Sequence, residues 1–271
     1  MTSCVQHAII TGGSSGIGKA IALQLSEQGA DVSIISRSQT RLQLAKVEIE
    51  QARRSAQQKV VTVVGDISDR AQAEQAIQTA IEQLGPPQLL ITSAGIACPG
   101  HFQALPIDVF EQVMSVNYFG TLYCIRAVLP IMANQRSGHL CLISSGTGLV
   151  GLYGYSAYGP SKFAVRGLAE SLRAELKPLG IGVSVVYPPD TQTPQLIEEN
   201  KTKPAATKEI TATAKVWTAD DVAQLVLKGI QQHKFEISPG IEIKILTRFH
   251  SLIAPLLNKY FDGIVARYPS K

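Results

Sequence analysis

Tyr158 and Lys162 lie four residues apart in the stretch AYGPSKFAVRGLAESL, 157–172. The stretch has helical periodicity, so the phenol and the ammonium share one face, a turn from each other. Such a pair has two uses. The ring can pack on the lysine stem with the charge left in water. Alternatively, the fixed positive charge can favour phenolate and turn the tyrosine into a proton donor. Ser145, thirteen residues upstream of Tyr158, offers a hydroxyl able to stabilise an oxyanion. Tyr153 and Tyr155 lack a lysine four residues on and are expected to line a pocket mouth.

A second group sits at the N-terminus. The run TGGSSGIG, Thr11 to Gly18, follows an apolar stretch and opens an amphipathic one. Gly12, Gly16 and Gly18 allow a sharp turn and a close backbone approach, with Ser14, Ser15 and Ile17 between them. A pyrophosphate at a helix N-terminus needs such a cradle. The next apolar run ends in Ser36-Arg37-Ser38. An acid at this place accepts the ribose 2′-hydroxyl of NAD. Arg37 suits a 2′-phosphate instead, so NADP(H) is the expected cofactor.

These residues must be held by a scaffold, and the pattern supplies one. Apolar runs at 7–10, 31–36, 60–65, 88–94, 138–145 and 182–189 read as strands. Helical runs separate them, at 17–28, 39–56, 69–84, 106–115 leading into 118–134, and 158–178. This α/β alternation, with strands too apolar to alternate, indicates a Rossmann-type doubly wound parallel sheet in a single domain. Residues 1–243 form the catalytic domain and 244–271 a C-terminal tail. The segment 190–217 has neither strand nor strong helix periodicity and reads as a substrate lid. Thr218 caps a further helix, and 235–238 reads as a last strand.

The 271 residues are 45% hydrophobic and 17% charged, with net charge +4. That is a globular composition, not a disordered one. No Lys/Arg block exceeds a pair, which argues against nucleic acid. Cys4, Cys98, Cys124 and Cys141 are scattered without metal-ligand spacing, so no metal is expected. No signal peptide and no long apolar span is read, which points to a cytoplasmic protein, soluble or peripheral on a membrane surface.

Taken in order, these motifs resemble the short-chain dehydrogenase/reductase family over roughly residues 6–240. The resemblance implies that Asp66 and Ile67 contact adenine, and that Ala94 and Gly95 of TSAG, 92–95, line the cofactor. Thr92 and Ser93 depart from the family's pair of asparagines. It further implies that Asn117 anchors a proton-relay water, that Ser145 polarises the substrate carbonyl, and that Tyr158 is the general acid. Lys162 lowers the phenol's pKa and holds the nicotinamide ribose. Helices 106–134 and 158–178 are where the family forms homodimers or homotetramers. The tract YPPDTQTPQLIEENKTKP, 187–204, resembles a narrower subgroup that reduces 3-ketosphinganine, and places Pro189, Thr191 and Thr193 beside the nicotinamide and phosphates. The implied activity is NADPH-dependent reduction of a long-chain keto lipid to a secondary alcohol. A steroid, a β-ketoacyl thioester or a small ketone are alternative substrates, and a non-catalytic NADP sensor is the alternative class.

The tail carries one apolar helical face over 244–265, interrupted at Pro255, with Lys244, Arg248 and Lys259 beside it. It suits either peripheral membrane contact through 244–267 or packing on the domain or a second subunit.

Overall fold

The computed structural model describes residues 5–212 and 215–268; Cys4, the middle of the lid at 213–214 and the end of the tail at 269–271 lie outside them. Its centre is a seven-stranded, all-parallel sheet. The strands are β1 (His7–Thr11), β2 (Asp31–Ser36), β3 (Val60–Val64), β4 (Leu89–Thr92), β5 (Gly138–Ile143), β6 (Ile181–Val186) and β9 (Glu236–Ile237). They stand in the order β3-β2-β1-β4-β5-β6-β9. The order reverses between β1 and β4, so a crevice opens at the carboxyl ends of those two strands.

Successive side chains point to opposite faces, and both faces are apolar. Ala8, Ile10, Val32, Ile34 and Ile91 join one core, with α1 (Gly16–Glu27), α2 (Gln39–Gln51) and α9 (Ala219–Gln231). Ile9, Ile35, Leu90, Leu140 and Val185 join the other, with α3 (Arg70–Leu84), α5 (Gly120–Gln135) and α6 (Tyr158–Leu176). The expected fold class is therefore what forms. Cys124 and Cys141 are small members of the second and first core respectively.

Several boundaries differ from expectation for identifiable reasons. The α2 helix stops at Gln51, not near 56. Beyond it Arg53 folds back, its Nε donating to Glu50 O at 2.9 Å and its Nη1 to Gln58 O at 3.0 Å. Gln58 ties this turn to the carbonyls of Ser26 and Ala30. The helices expected at 106–115 and 118–134 are one rod, in which α4 (Ile107–Met114) runs into α5 through a π-helical turn at Ser115–Phe119. This rod is long and apolar enough to span a membrane, but 44% of its most apolar window is buried in the protein.

The lid is more ordered than its weak periodicity indicates. It holds β7 (Thr191–Gln192), α7 (Pro194–Thr202), α8 (Ala205–Thr211) and β8 (Trp217–Thr218), with β7 and β8 paired. Thr193 caps α7 by accepting from Leu196 N at 3.2 Å, and Pro194 occupies the first helical position. Helices this short give little periodic signal. The tail forms one continuous helix, α10 (Ile241–Val265), and Pro255 does not interrupt it. Pro255 lies on the exposed side of α10, where water replaces the missing backbone donor.

Candidate active site

The glycine turn after β1 brings the chain back over the sheet. Gly12 has φ +69°, and a Cβ there would come within 2.7 Å of Ala94 backbone atoms. Turn and β4 exit therefore pack backbone to backbone. Gly18 serves a different purpose from its neighbours. A Cβ on Gly18 would sit 2.5 Å from Gly12 O, so its role is close packing, and it does not face the cavity. At the start of α1, Ser15 is the N-cap yet makes no side-chain capping bond. The first N–H groups of α1 point into the crevice with the positive end of the helix dipole.

A cavity of about 830 Å³ runs from this turn to the tail. Every residue expected at the cofactor except Gly18 lines it, from Ser14 and Arg37 through Asp66 to Thr193. Arg37 Nη1 stands 3.9 Å from Asp66 Oδ2, and its side chain is 58% exposed, free to turn to a phosphate. Asp66 Oδ1 accepts from Ser68 N and Ser68 Oγ, which fixes the acid's direction. Arg41, one helical turn beyond Arg37, lines the same end and was not anticipated. Its signal was present: a second guanidinium at i+4 on the first turn of α2.

Tyr158 begins α6, and Lys162 follows one turn later. Both are buried. Lys162 Nζ donates to Ile143 O at 3.0 Å and lies 5.6 Å from the centre of the Tyr158 ring. Burial and the negative field of Glu199 push the Tyr158 pKa up, while the neighbouring polar side chains of Ser145 and Gln195 pull it down. Lys162 keeps its place one turn from Tyr158, as the spacing predicts. Burial lowers the Lys162 pKa to about 8, against an upward pull from Glu199.

Asn117 sits in the π turn, fully buried and outside the cavity lining. Its Oδ1 accepts from Ile96 N at 2.9 Å, and its Nδ2 donates to Ile96 O and to Ser161 Oγ. The side chain is a clasp between the β4 exit and α6, which holds Gly95 beside Lys162. A π turn at this place is what re-aims Asn117 inward, and nothing in the local sequence announces it.

Two further site residues were missed, and a third was placed differently. Gln195 and Glu199 lie four apart on α7, with Gln195 Nε2 donating to Glu199 Oε1 at 2.8 Å. Tyr155, expected at the mouth, is buried in the wall and donates to Glu199 Oε2 at 2.7 Å. Tyr153 instead faces away from the cavity and bonds His101. The inner face of α10 closes the far end with Leu246, Ile253, Leu257 and Phe261.

The glycine cradle, the uncapped α1 terminus and the Arg37 and Arg41 pair fit a dinucleotide with phosphates at α1 and its nicotinamide toward Tyr158. A bound nicotinamide supplies a hydride. The chain is a member of the short-chain dehydrogenase family, whose profile matches residues 6–204, and it is accordingly an oxidoreductase with a nicotinamide cofactor. Among its relatives is a 3-dehydrosphinganine reductase of Danio rerio, 42% identical over 251 residues, covering 92% of this chain and 76% of the relative. A 3-ketodihydrosphingosine reductase of Dictyostelium discoideum is 37% identical, covering 96% and 82%. Levodione reductase superposes with TM-score 0.79 at 25% identity over 86% of this chain and 95% of its own. A short-chain dehydrogenase from Burkholderia phymatum in complex with NAD has the same fold, with TM-score 0.81 at 24% identity over 93% and 94%.

Proposed function

We propose that this chain reduces a long-chain 3-keto lipid of the 3-dehydrosphinganine type to its secondary alcohol with NADPH. The observation that carries this reading is the cavity itself. It starts polar at the glycine turn, passes Ser145 and Tyr158, and ends against the apolar inner face of α10. A small ketone needs no such extension, whereas an alkyl chain does. The names of the relatives support the same substrate class. In this reading the sheet and its helices up to 243 make the catalytic unit, and α10 from Lys244 to Val265 is the lipid-facing wall.

In this reading Tyr158 O–H donates its proton to the carbonyl oxygen as it gains charge, while Ser145 donates a second hydrogen bond there. Lys162 holds the ribose hydroxyls, and Asn117 keeps Lys162 and Gly95 in place. Arg37 and Arg41 take the 2′-phosphate. Pro189, Thr191 and Thr193 close over the nicotinamide and phosphates.

The outer face of α10 supports contact with a membrane surface. Ile241, Phe249, Leu252 and Leu256 form an exposed stripe, with Leu252 75% and Leu256 71% exposed, and Ile245 and Tyr260 stand between it and the cavity. Lys244, Arg248 and Lys259 flank it, and each cation near anionic lipid contributes about 1 kcal/mol. The α4–α5 rod and α6 expose Ile107, Phe119 and Phe163, which suits a homodimer or homotetramer interface.

The test is NADPH consumption by the purified chain with a long-chain 3-keto lipid in micelles and a small soluble ketone. Tyr158→Phe should bind NADPH and lose turnover by about 10²–10⁴-fold. Turnover of the small ketone only, or an active Tyr158→Phe, would refute the reading. Co-sedimentation with anionic vesicles, weakening in high salt, tests the surface contact.

A further inference from the structure

Glu199 is a carboxylate with an unusual setting. It comes from α7 and is buried, 8% exposed, in the wall beside the Tyr158 hydroxyl. Its two oxygens accept from neutral donors, Tyr155 O–H and Gln195 N–H. Gln195 and Tyr158 line the same cavity as Glu199, and the carboxylate's field reaches the Tyr158 phenol. Among the described residues no cation lies within ion-pair distance of Glu199. Lys203, one turn further along, is aimed elsewhere. Its Nζ lies 3.4 Å from Asp190 Oδ2 and 5.8 Å from the centre of the Tyr155 ring. A buried charge ordinarily has a partner of opposite sign, and leaving one without is costly. Here the residue lines the cavity, where a ligand arrives.

We infer that Glu199 recognises a cationic nitrogen carried on the carbon next to the ketone, and so selects 2-amino-3-ketones over plain ketones. The inference rests on the function proposed above and extends it from the ketone to its neighbour. A 3-dehydrosphinganine has a primary ammonium on the carbon beside its carbonyl. With the carbonyl oxygen on Tyr158 and Ser145, that ammonium lies one carbon from the reacting centre, in the same cavity that Glu199 lines and within reach of the field it exerts at Tyr158. The alkyl chain then points along the apolar end of the cavity, away from α7. The field of Glu199 also disfavours phenolate at Tyr158, and a docked ammonium offsets it. Without its amine the substrate leaves the carboxylate buried and unpaired, which is how a polar pocket rejects an analogue.

The experiment uses the full chain with NADPH and two long-chain ketones in the same micelles, one with the 2-amino group and one with hydrogen in its place. The ratio of their kcat/KM values is read in wild type, Glu199→Gln and Glu199→Asp. Wild type should favour the amino ketone. The ratio should fall about 10–100-fold in Glu199→Gln, the loss of one charge-assisted contact, and by less in Glu199→Asp, which keeps the charge. A merely structural Glu199 would lower both substrates together and leave the ratio alone. An unchanged ratio in Glu199→Gln, or an equal fall in both variants, overturns the inference. If Glu199→Gln does not fold, the Asp variant decides, since its ratio must still fall. Wild type reducing both ketones equally well overturns the Glu199 assignment and leaves the proposed function standing. Wild type reducing neither, while reducing a small ketone, removes both.

Discussion

The two ends of the cavity are built by different rules. At the cofactor end, residues 7–95, contacts are made by backbone against backbone: Gly12 against Ala94, Gly12 N to Ile35 O at 2.8 Å, Ser93 N to Thr11 O at 3.2 Å. At the substrate end, residues 190–265, side chains do the work: Gln195, Glu199 and the inner face of α10. A ligand common to a whole family is met by the chain's invariant atoms. A particular ligand is met by the atoms that differ from one residue type to the next. This division has measurable consequences.

The largest belongs to Gly12→Ala. A methyl group there meets Ala94 backbone in a left-handed conformation, and neither side can give. Strain and overpacking together should cost about 2–6 kcal/mol of stability, read by denaturant melts. If the cofactor end tolerates this methyl, the contrast drawn above is wrong.

Lys162 stands where the two ends meet, and its effect is visible in pH. Its folded pKa is lowered to about 8 from an ordinary 10.5. The unfolded chain therefore binds the proton more readily across that window. Stability should rise between about pH 8 and 10.5 by on the order of 3 kcal/mol, and the penalty should be constant below pH 8. Turnover should go the opposite way, falling as the ammonium is lost above pH 8. Lys162→Met should remove this part of the stability rise when melts are compared across the range.

Arg37→Asp probes a side chain at the backbone-built end. Preference for NADPH over NADH should drop by about 1.5–3 kcal/mol in kcat/KM. An unchanged ratio would assign the 2′-phosphate to Arg41. Smallest is Thr193→Ala, which removes the cap of α7 and should cost about 1 kcal/mol, with KM for the lipid rising more than KM for NADPH.

The same division explains what could be read from the chain. The strands were legible because burial on both faces forces long β-branched runs such as VSIIS and VVTVV. The glycine turn was legible because few residues fit its conformation. Tyr158, Lys162 and Ser145 were found through spacing. Glu199 was not, since one acid in the run EEN looks like any solvated charge until α7 turns it inward. Thr193-Pro194 was a readable helix start that the weak periodicity of a nine-residue helix obscured. The π turn at Asn117 has no signature, because it is imposed by packing against α6. The uninterrupted α10 went against the local expectation for proline, since an exposed proline in a long helix loses only one bond.

One strap joins both ends of the site. The side chain of Thr193 lies against Gly16, where a Cβ would stand 3.0 Å from Thr193 Cγ2. At the other end of the same segment, Glu209 of α8 receives Arg267 and the Tyr268 hydroxyl, just past α10. A segment pinned at both ends cannot lift from one anchor without pulling on the other. The wall that shuts over the phosphates is thereby continuous with the wall that shuts over the alkyl chain. Such a wall couples the two ends mechanically: a shift of the strap at the phosphates is felt at the mouth of the alkyl channel.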